Sequence, residues 1–266
     1  MEVVLFAIVI ILVLLLNFRL KNSLNPLFAA QAVTGINTKE LEVFYQKYSY
    51  YYVGLPENEK TRFIKRAHKL SQEIFFEGRR GLKVSNEIRM FVIAAFIQIT
   101  FGLNNFLLPK FRRVIVYPDS YFNQITGRMH KGEVNPRGAI VLSLKSLLRG
   151  YAVPNDSINL GIHELAHALF YSLTNAKSMP PELEENTKQF TFMALAEIER
   201  ITTSQNHIFR KYAATNVSEL FAVATEHFFE APNELKETIP QLYNSLSKLL
   251  NQDPASKVFT IKPLHD

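Results

Sequence analysis

The amino-acid sequence predicts an α+β fold, predominantly helical, with a small sheet beside one central helix and an apolar helix at the N-terminus. Three observations carry that expectation. Apolar residues recur at three- and four-residue spacing through most of the 266 residues, the period of amphipathic helices. Between Arg113 and Leu144 the pattern changes to short β-branched runs broken by turn residues, which reads as strands. Finally, His163-Glu164-Leu-Ala-His167 sits inside a bounded helical stretch, so two imidazoles one turn apart share a face and can reach a single metal ion.

Composition narrows the class further. Hydrophobic residues make up 47% and charged residues 20%, the balance of an ordered globular chain. Cysteine is absent, which excludes disulfides and thiolate metal sites, so a zinc ion would have to be held by histidine and carboxylate. The net charge is +6. The densest basic run, from Lys60 to Lys69, is interrupted by apolar residues at helical spacing and reads as a solvated helix face. No nucleic-acid-binding module is present, whereas an anionic lipid surface suits the charge.

In chain order, residues 3–16 form an unbroken run of 14 apolar residues. As a helix it covers about 21 Å of a hydrocarbon core about 30 Å thick. Phe18 and Leu20 extend it, with Arg19 and Lys21 snorkelling to the headgroups. A cleaved signal peptide is the rival reading, but Glu2 replaces the usual basic start and Ala30-Gln31-Ala32 lies too far downstream for cleavage. Residues 1–21 are therefore expected to be a membrane anchor and residues 22–37 a linker. The basic residues after the span place the body, residues 38–254, in the cytoplasm. Residues 255–266 read as a tail.

Thr38 opens a helix with Leu41, Phe44, Tyr45, Tyr48, Tyr51 and Tyr52 along its inner face, ended by Gly54-Leu55-Pro56. A second helix is expected from Glu57 to Phe76, with Phe63, Ala67, Leu70, Ile74 and Phe75 inward, followed by a turn from Glu77 to Gly81. The third, from Ser85 to Phe101, is apolar nearly all round and should be deeply buried. A strand from Arg113 to Tyr117 precedes a hairpin, in which residues 131–134 and 139–144 flank Asn135-Pro136-Arg137-Gly138. The strand at residues 139–143 is the expected sheet edge, where an extended peptide could add as a further strand.

The central helix is expected to start at Asn155-Asp156-Ser157, three possible N-caps after Pro154, and to bury Ile158, Ile162, Leu165, Leu169 and Leu173. Gly161 inside it predicts a close backbone neighbour, the substrate-side strand. Further helices run from Leu183 to Arg200, from Asn216 to Ala231-Pro232, and from Leu235 to Leu250. Asn216 and Glu219 have capping-box spacing.

A catalytic zinc site needs three protein ligands. Glu219, Glu226, Glu230, His207 and His227 are the candidates for the third. Glu219 and Glu226 share a helix face about 10.5 Å apart along the axis, so one metal cannot take both.

Beyond these readings, the stretches His163-Glu-Leu-Ala-His167, Tyr212-Ala-Ala-Thr-Asn216-Val-Ser-Glu219-Leu-Phe-Ala-Val-Ala-Thr-Glu226-His-Phe-Phe-Glu230-Ala-Pro232 and Asn251-Gln-Asp253-Pro254 resemble the Mlc titration factor A family. Phe76-Glu-Gly78-Arg-Arg-Gly81-Leu82 and Val114-Ile-Val-Tyr117-Pro118 add to the likeness, which spans roughly residues 41–254. The family comprises bacterial zinc metallopeptidases with a zincin-type domain. The resemblance implies one zinc ion held by His163, His167 and Glu219, Glu164 as general base, and Tyr212 as donor to the developing oxyanion. It implies a peptide or protein substrate. It also allows a different role, a membrane-tethered module that captures a regulatory protein such as a transcriptional repressor, with zinc mainly structural. Family members often carry an acid three residues after the second histidine, where this chain has Phe170.

Overall fold

The computed structural model describes residues 35–256. The expected anchor, most of the expected linker and residues 257–266 of the tail lie outside the described residues. Among those described, no helix is long and apolar enough to cross a membrane. Ile36, placed in the linker by sequence, is buried and donates its backbone N–H to Ser71 Oγ at 2.9 Å, so the domain begins before residue 38.

The first helix is interrupted. Helix α1 (Thr38–Tyr48) ends at Ser49, whose extended backbone starts the short α2 (Tyr50–Val53) and whose hydroxyl caps Tyr52 N–H. Leu41, Phe44, Tyr45 and Tyr52 are buried as expected, while Tyr48 turns outward. Helix α3 (Glu57–Glu73) stops three residues short of the expected end, because Phe75–Gly78 leaves the helical period to become strand β1. Its parallel pairing with β2 (Arg113–Tyr117) runs from Phe75 opposite Arg113 to Gly78 opposite Val116. That long-range ladder overrides the local periodicity, and Phe75 is half exposed rather than inward. Helix α4 (Asn86–Thr100), capped by Ser85, is buried through Val92–Ile97 as its composition demands.

The main sheet has the order β1-β2-β6-β5, with β6 (Ala139–Ser143) parallel to β2 and antiparallel to β5 (Gly132–Asn135). The hairpin forms as expected, but β6 is interior and β5 is the edge. The reason is in the side chains: Ile140, Val141 and Leu142 are buried, whereas every residue of β5 is half-buried. A separate hairpin, β3 (Tyr121–Asn123) with β4 (Arg128–His130), stands beside the sheet. Ser143 then caps the nine-residue α5 (Leu144–Ala152), which the sequence pattern did not reveal.

Central helix α6 runs Leu160–Thr174. It starts later than expected because Ser157 adopts a left-handed φ of 56°, and Asn159 caps Ile162 N–H at 3.1 Å. Ile158 therefore precedes the helix and is 38% exposed, while Ile162, Leu165, Leu169 and Leu173 are buried. The close approach at Gly161 also differs from expectation. A Cβ there would meet Leu147 Cδ1 at 2.9 Å and Ala95 Cβ at 3.2 Å, side chains of α5 and α4 rather than a strand.

Helix α7 (Pro181–Thr203) leads to a 3₁₀ turn at Lys211–Thr215 and then α8 (Val217–Glu230), which packs along α6. Phe170 of α6 stacks on Phe221 of α8 with centroids 5.0 Å apart. The expected final helix divides into α9 (Pro232–Thr238) and α10 (Pro240–Leu250), because Pro240 has no N–H to donate and suits only a helix start.

Candidate metal centre

Helix periodicity projects His163 and His167 from one face of α6, and Glu219 enters from the first turn of α8. Asn216 caps that turn, its side chain accepting Glu219 N–H at 3.0 Å. The reciprocal half of a capping box is not formed, since the Glu219 carboxylate turns to the imidazoles instead. Its Oε2 lies 3.4 Å from Nε2 of both His163 and His167, and the two Nε2 atoms are 3.2 Å apart. This carboxylate oxygen is buried and accepts no hydrogen bond among the described residues.

Those distances decide what the triad fits. Four ligands arranged tetrahedrally about 2.0–2.1 Å from a zinc ion stand roughly 3.3–3.4 Å from one another. The three observed separations match three edges of that tetrahedron. A buried, unpartnered carboxylate oxygen facing two imidazole nitrogens is costly on its own, and a cation at their common centre would satisfy all three. The residues fit zinc, with one vertex left over.

Other groups hold the ligands. His167 Nδ1 is 2.8 Å from Ser218 Oγ and His163 Nδ1 is 3.4 Å from Glu226 Oε1. With the Nδ1 protons assigned to these contacts, both Nε2 lone pairs face the centre. Glu226 is buried and anchored, accepting Asn159 N–H at 3.2 Å and Arg210 Nη2 at 2.9 Å. Burial opposes a charge on His163, but the carboxylates of Glu219 and Glu226 outweigh it and push its pKa up to about 10. Burial likewise works against the Glu219 carboxylate, yet the two imidazoles hold its pKa well below the usual range.

Glu164 shares the helical turn with His163 and is buried, at 5% exposure. Burial raises its carboxyl pKa, the neighbouring imidazoles draw it back, and the balance lies at about 7. Its side chain rests on Gly132 of edge strand β5, where a Cβ would fall 2.7 Å from Glu164 Cγ and Cδ. The strand's close approach to α6 therefore falls at the Glu164 side chain and not at Gly161, where it was expected.

Tyr212, from the 3₁₀ turn, is 56% exposed at the rim. Burial of its hydroxyl and the nearby Glu219 carboxylate raise its pKa well above the ordinary value. It lines a cleft of about 330 Å³ together with the four motif residues, Gly132 and Tyr171.

Of the other third-ligand candidates, Glu226 stands behind His163, and His207 pairs with Glu197 at 2.7 Å. His227 is buried with Nδ1 3.1 Å from Val223 O, and Glu230 accepts from Ile158 N–H and Asn159 Nδ2. Sequence reasoning missed Ser218, adjacent to Glu219. It also missed Tyr121, a buried residue whose hydroxyl lies in the field of Glu133 and Glu164. No spacing rule marks Tyr121, because a separate hairpin delivers it.

A His-Glu-x-x-His helix completed by a carboxylate from a second helix, on a mainly helical fold with a small sheet, defines a metallopeptidase-type domain. The chain belongs to the glucose-regulated metallo-peptidase M90 family, whose model matches residues 29–250. It is similar to Mlc titration factor A of Serratia proteamaculans, 25% identical over 222 residues, covering 77% of this chain and 84% of the relative. Mlc titration factor A of Edwardsiella ictaluri is 25% identical over 226 residues, covering 77% and 85%. An uncharacterized protein of Synechocystis is 24% identical over 221 residues, covering 77% and 80%.

Proposed function

We propose that this chain is a zinc-dependent peptidase that hydrolyses peptide bonds in a peptide or protein substrate, with His163, His167 and Glu219 holding one zinc ion. The observation that supports it most is the convergence of two Nε2 atoms and one unpartnered carboxylate oxygen at 3.2–3.4 Å. Bound there, zinc would supply Lewis acidity and lower the pKa of a water towards about 7. Glu164, with its pKa near that value, accepts the nucleophile's proton and returns it to the departing amine. Tyr212 O–H donates to the scissile carbonyl oxygen as negative charge develops there. Strand β5, the end strand of its sheet, offers backbone groups to an extended substrate beside Glu164.

The test is Glu164→Gln with metal analysis and peptide-library cleavage. The variant should keep about one zinc per chain and lose roughly 10²–10⁴-fold in turnover. Turnover close to wild type would sink the assignment of Glu164.

The relatives' name supports a second reading, in which the chain captures a regulatory protein and zinc serves mainly structure. Partner capture unaffected by Glu164→Gln, without any peptide turnover, would select it. The apolar run at residues 3–16 further supports a single N-terminal membrane anchor with the catalytic domain in the cytoplasm. Release of the full chain from membranes by alkaline carbonate would refute the anchor.

A further inference from the structure

A second cavity, of about 220 Å³, is lined by Ile162 of α6 and by Asn159 just before it, and shares no lining residue with the first. Tyr50, Tyr51, Tyr151 and Phe229 supply its aromatic walls, and Ser49, Gln98, Asn159 and Glu230 its polar side chains. Glu230 is the unusual member. Its Oε2 accepts Ile158 N–H at 3.1 Å and its Oε1 accepts Asn159 Nδ2 at 3.0 Å. That uses two of about four lone-pair positions on a carboxylate.

Charge around Glu230 is unbalanced. Its acidic neighbours each have a cation, Glu226 with Arg210 at 2.9 Å and Asp156 with Arg149 at 2.6 Å. Glu230 has neither Lys, Arg nor His at ion-pair distance among the described residues, and both neighbouring acids push against its ionisation. Burial, the largest influence, brings its carboxyl pKa up to about 7. A partly buried acid lacking a counter-charge, beside an aromatic-lined cavity, is short of one cation.

The cavity's chemistry selects the class of that cation. Glu230, the one acid here without a paired cation among the described residues, repels anions. The Tyr51 and Tyr151 hydroxyl protons are already donated, to Gln252 Oε1 and Phe91 O, both at 2.6 Å, so neither tyrosine offers its proton to a ligand there. One carboxylate does not make a divalent-metal site, which takes six or more oxygens. An aromatic lining and a single carboxylate suit an ammonium group on a short apolar stem, and the volume lies below the range of drug-sized sites. We propose that this cavity is a second binding site, specific for a small primary ammonium ion, with Glu230 as its counter-charge. The site is independent of the peptidase reading.

The test uses the full zinc-loaded chain at pH 8 and constant ionic strength. n-Butylammonium and its neutral isostere n-butanol are each titrated by calorimetry and saturation-transfer NMR. Butylammonium should bind saturably and butanol at least tenfold more weakly. Glu230→Gln should weaken butylammonium at least tenfold with zinc content unchanged. Tyr50→Ala, at a residue 72% exposed and therefore safe for folding, should weaken it severalfold. Equal binding of the two probes, undiminished binding to Glu230→Gln, or no saturable binding of butylammonium would each overturn the proposal. If Glu230→Gln does not fold, the probe comparison and Tyr50→Ala decide.

Discussion

Gly132→Ala is the sharpest probe of the cleft, because it adds one methyl group and no charge. The backbone tolerates it, since Gly132 is not among the glycines with positive φ. Space does not. The new Cβ would stand 2.7 Å from both Cγ and Cδ of Glu164, where ordinary contact begins at 3.4 Å. Strand β5 is held by its ladder to β6, so the side chain of Glu164 must yield by about 0.7 Å at those atoms. Misplacing a reacting group by about 1 Å can cost 10²-fold, so turnover should fall about 10- to 100-fold. Overpacking costs about 1–3 kcal/mol, and replacing glycine within a strand returns about 0.5–1 kcal/mol. The net cost lowers Tm by less than about 10 °C at 2–4 °C per kcal/mol. Steady-state cleavage of a fluorogenic peptide, with zinc content and thermal melting measured on the same sample, checks all three expectations. A zinc-loaded, folded variant cleaving within twofold of wild type would refute the placement of Glu164 as base. Global unfolding would refute the claim that the side chain, not the strand, gives way.

Glu219→Ala should strip the chain of zinc after dialysis against a weak chelator; full zinc occupancy would refute Glu219 as the third ligand. Glu226→Gln keeps the shape but removes the charge behind His163, and zinc affinity in a metal-buffer competition should fall about 10–100-fold. Unchanged affinity would make Glu226 a purely structural partner of Arg210. Glu230 has its folded pKa raised from 4.5 to about 7, so between those values the folded chain retains a proton that the unfolded chain has released. Its contribution to stability is full below about pH 4.5 and is lost as pH rises towards 7. Glu164, likewise raised to about 7, contributes a decline over the same window, so urea unfolding from pH 4 to 8 should show a decline that Glu230→Gln makes shallower without abolishing it.

Legibility in the sequence followed the range of the interactions. Helix α4, strand β2, the β5–β6 hairpin and the inner face of α6 were readable because local periodicity and turn residues encode them. Strand β1 was not, because Phe75 and Phe76 continue the apolar period of α3 and only parallel pairing with β2, nearly forty residues on, makes them a strand. The start of α6 was misplaced because three residues with capping side chains precede the true cap, and the left-handed turn at Ser157 comes from the fold around it. At the site, the motif spacing gave His163, Glu164 and His167 directly. Residue spacing alone left five candidates for the third ligand, and the resemblance singled out Glu219. Neither could show which surface carries Gly132 to Glu164, since edge or interior position in a sheet is decided by strand order.

Helix α8 explains why Glu219 and Glu226 both matter although one ion cannot take both. Seven residues put them on one face of the helix, one in its first turn and one two turns on. Helix α6 lies along that face, so the two carboxylates meet opposite ends of one imidazole, Glu219 at His163 Nε2 and Glu226 at His163 Nδ1. Glu219 sits where the helix dipole favours a negative charge, and Asn216 caps the turn alone, which frees the Glu219 side chain for the metal. Between them, Phe221 packs against Phe170 and Phe190. That packing accounts for Phe170 at the position where the resemblance led to the expectation of an acid. Phe170 is 8% exposed and packs on Phe190 and Phe221, so a carboxylate there would be buried against aromatic rings at a cost of several kcal/mol. The aromatic pair keeps α6 and α8 at the spacing that brings Glu219 to the histidines. Phe170→Glu should therefore reduce zinc affinity through loss of packing, and Phe170→Leu, which keeps an apolar contact, should restore most of it. Equal losses in the two variants, measured by metal-buffer competition, would show that the stack does not set that spacing.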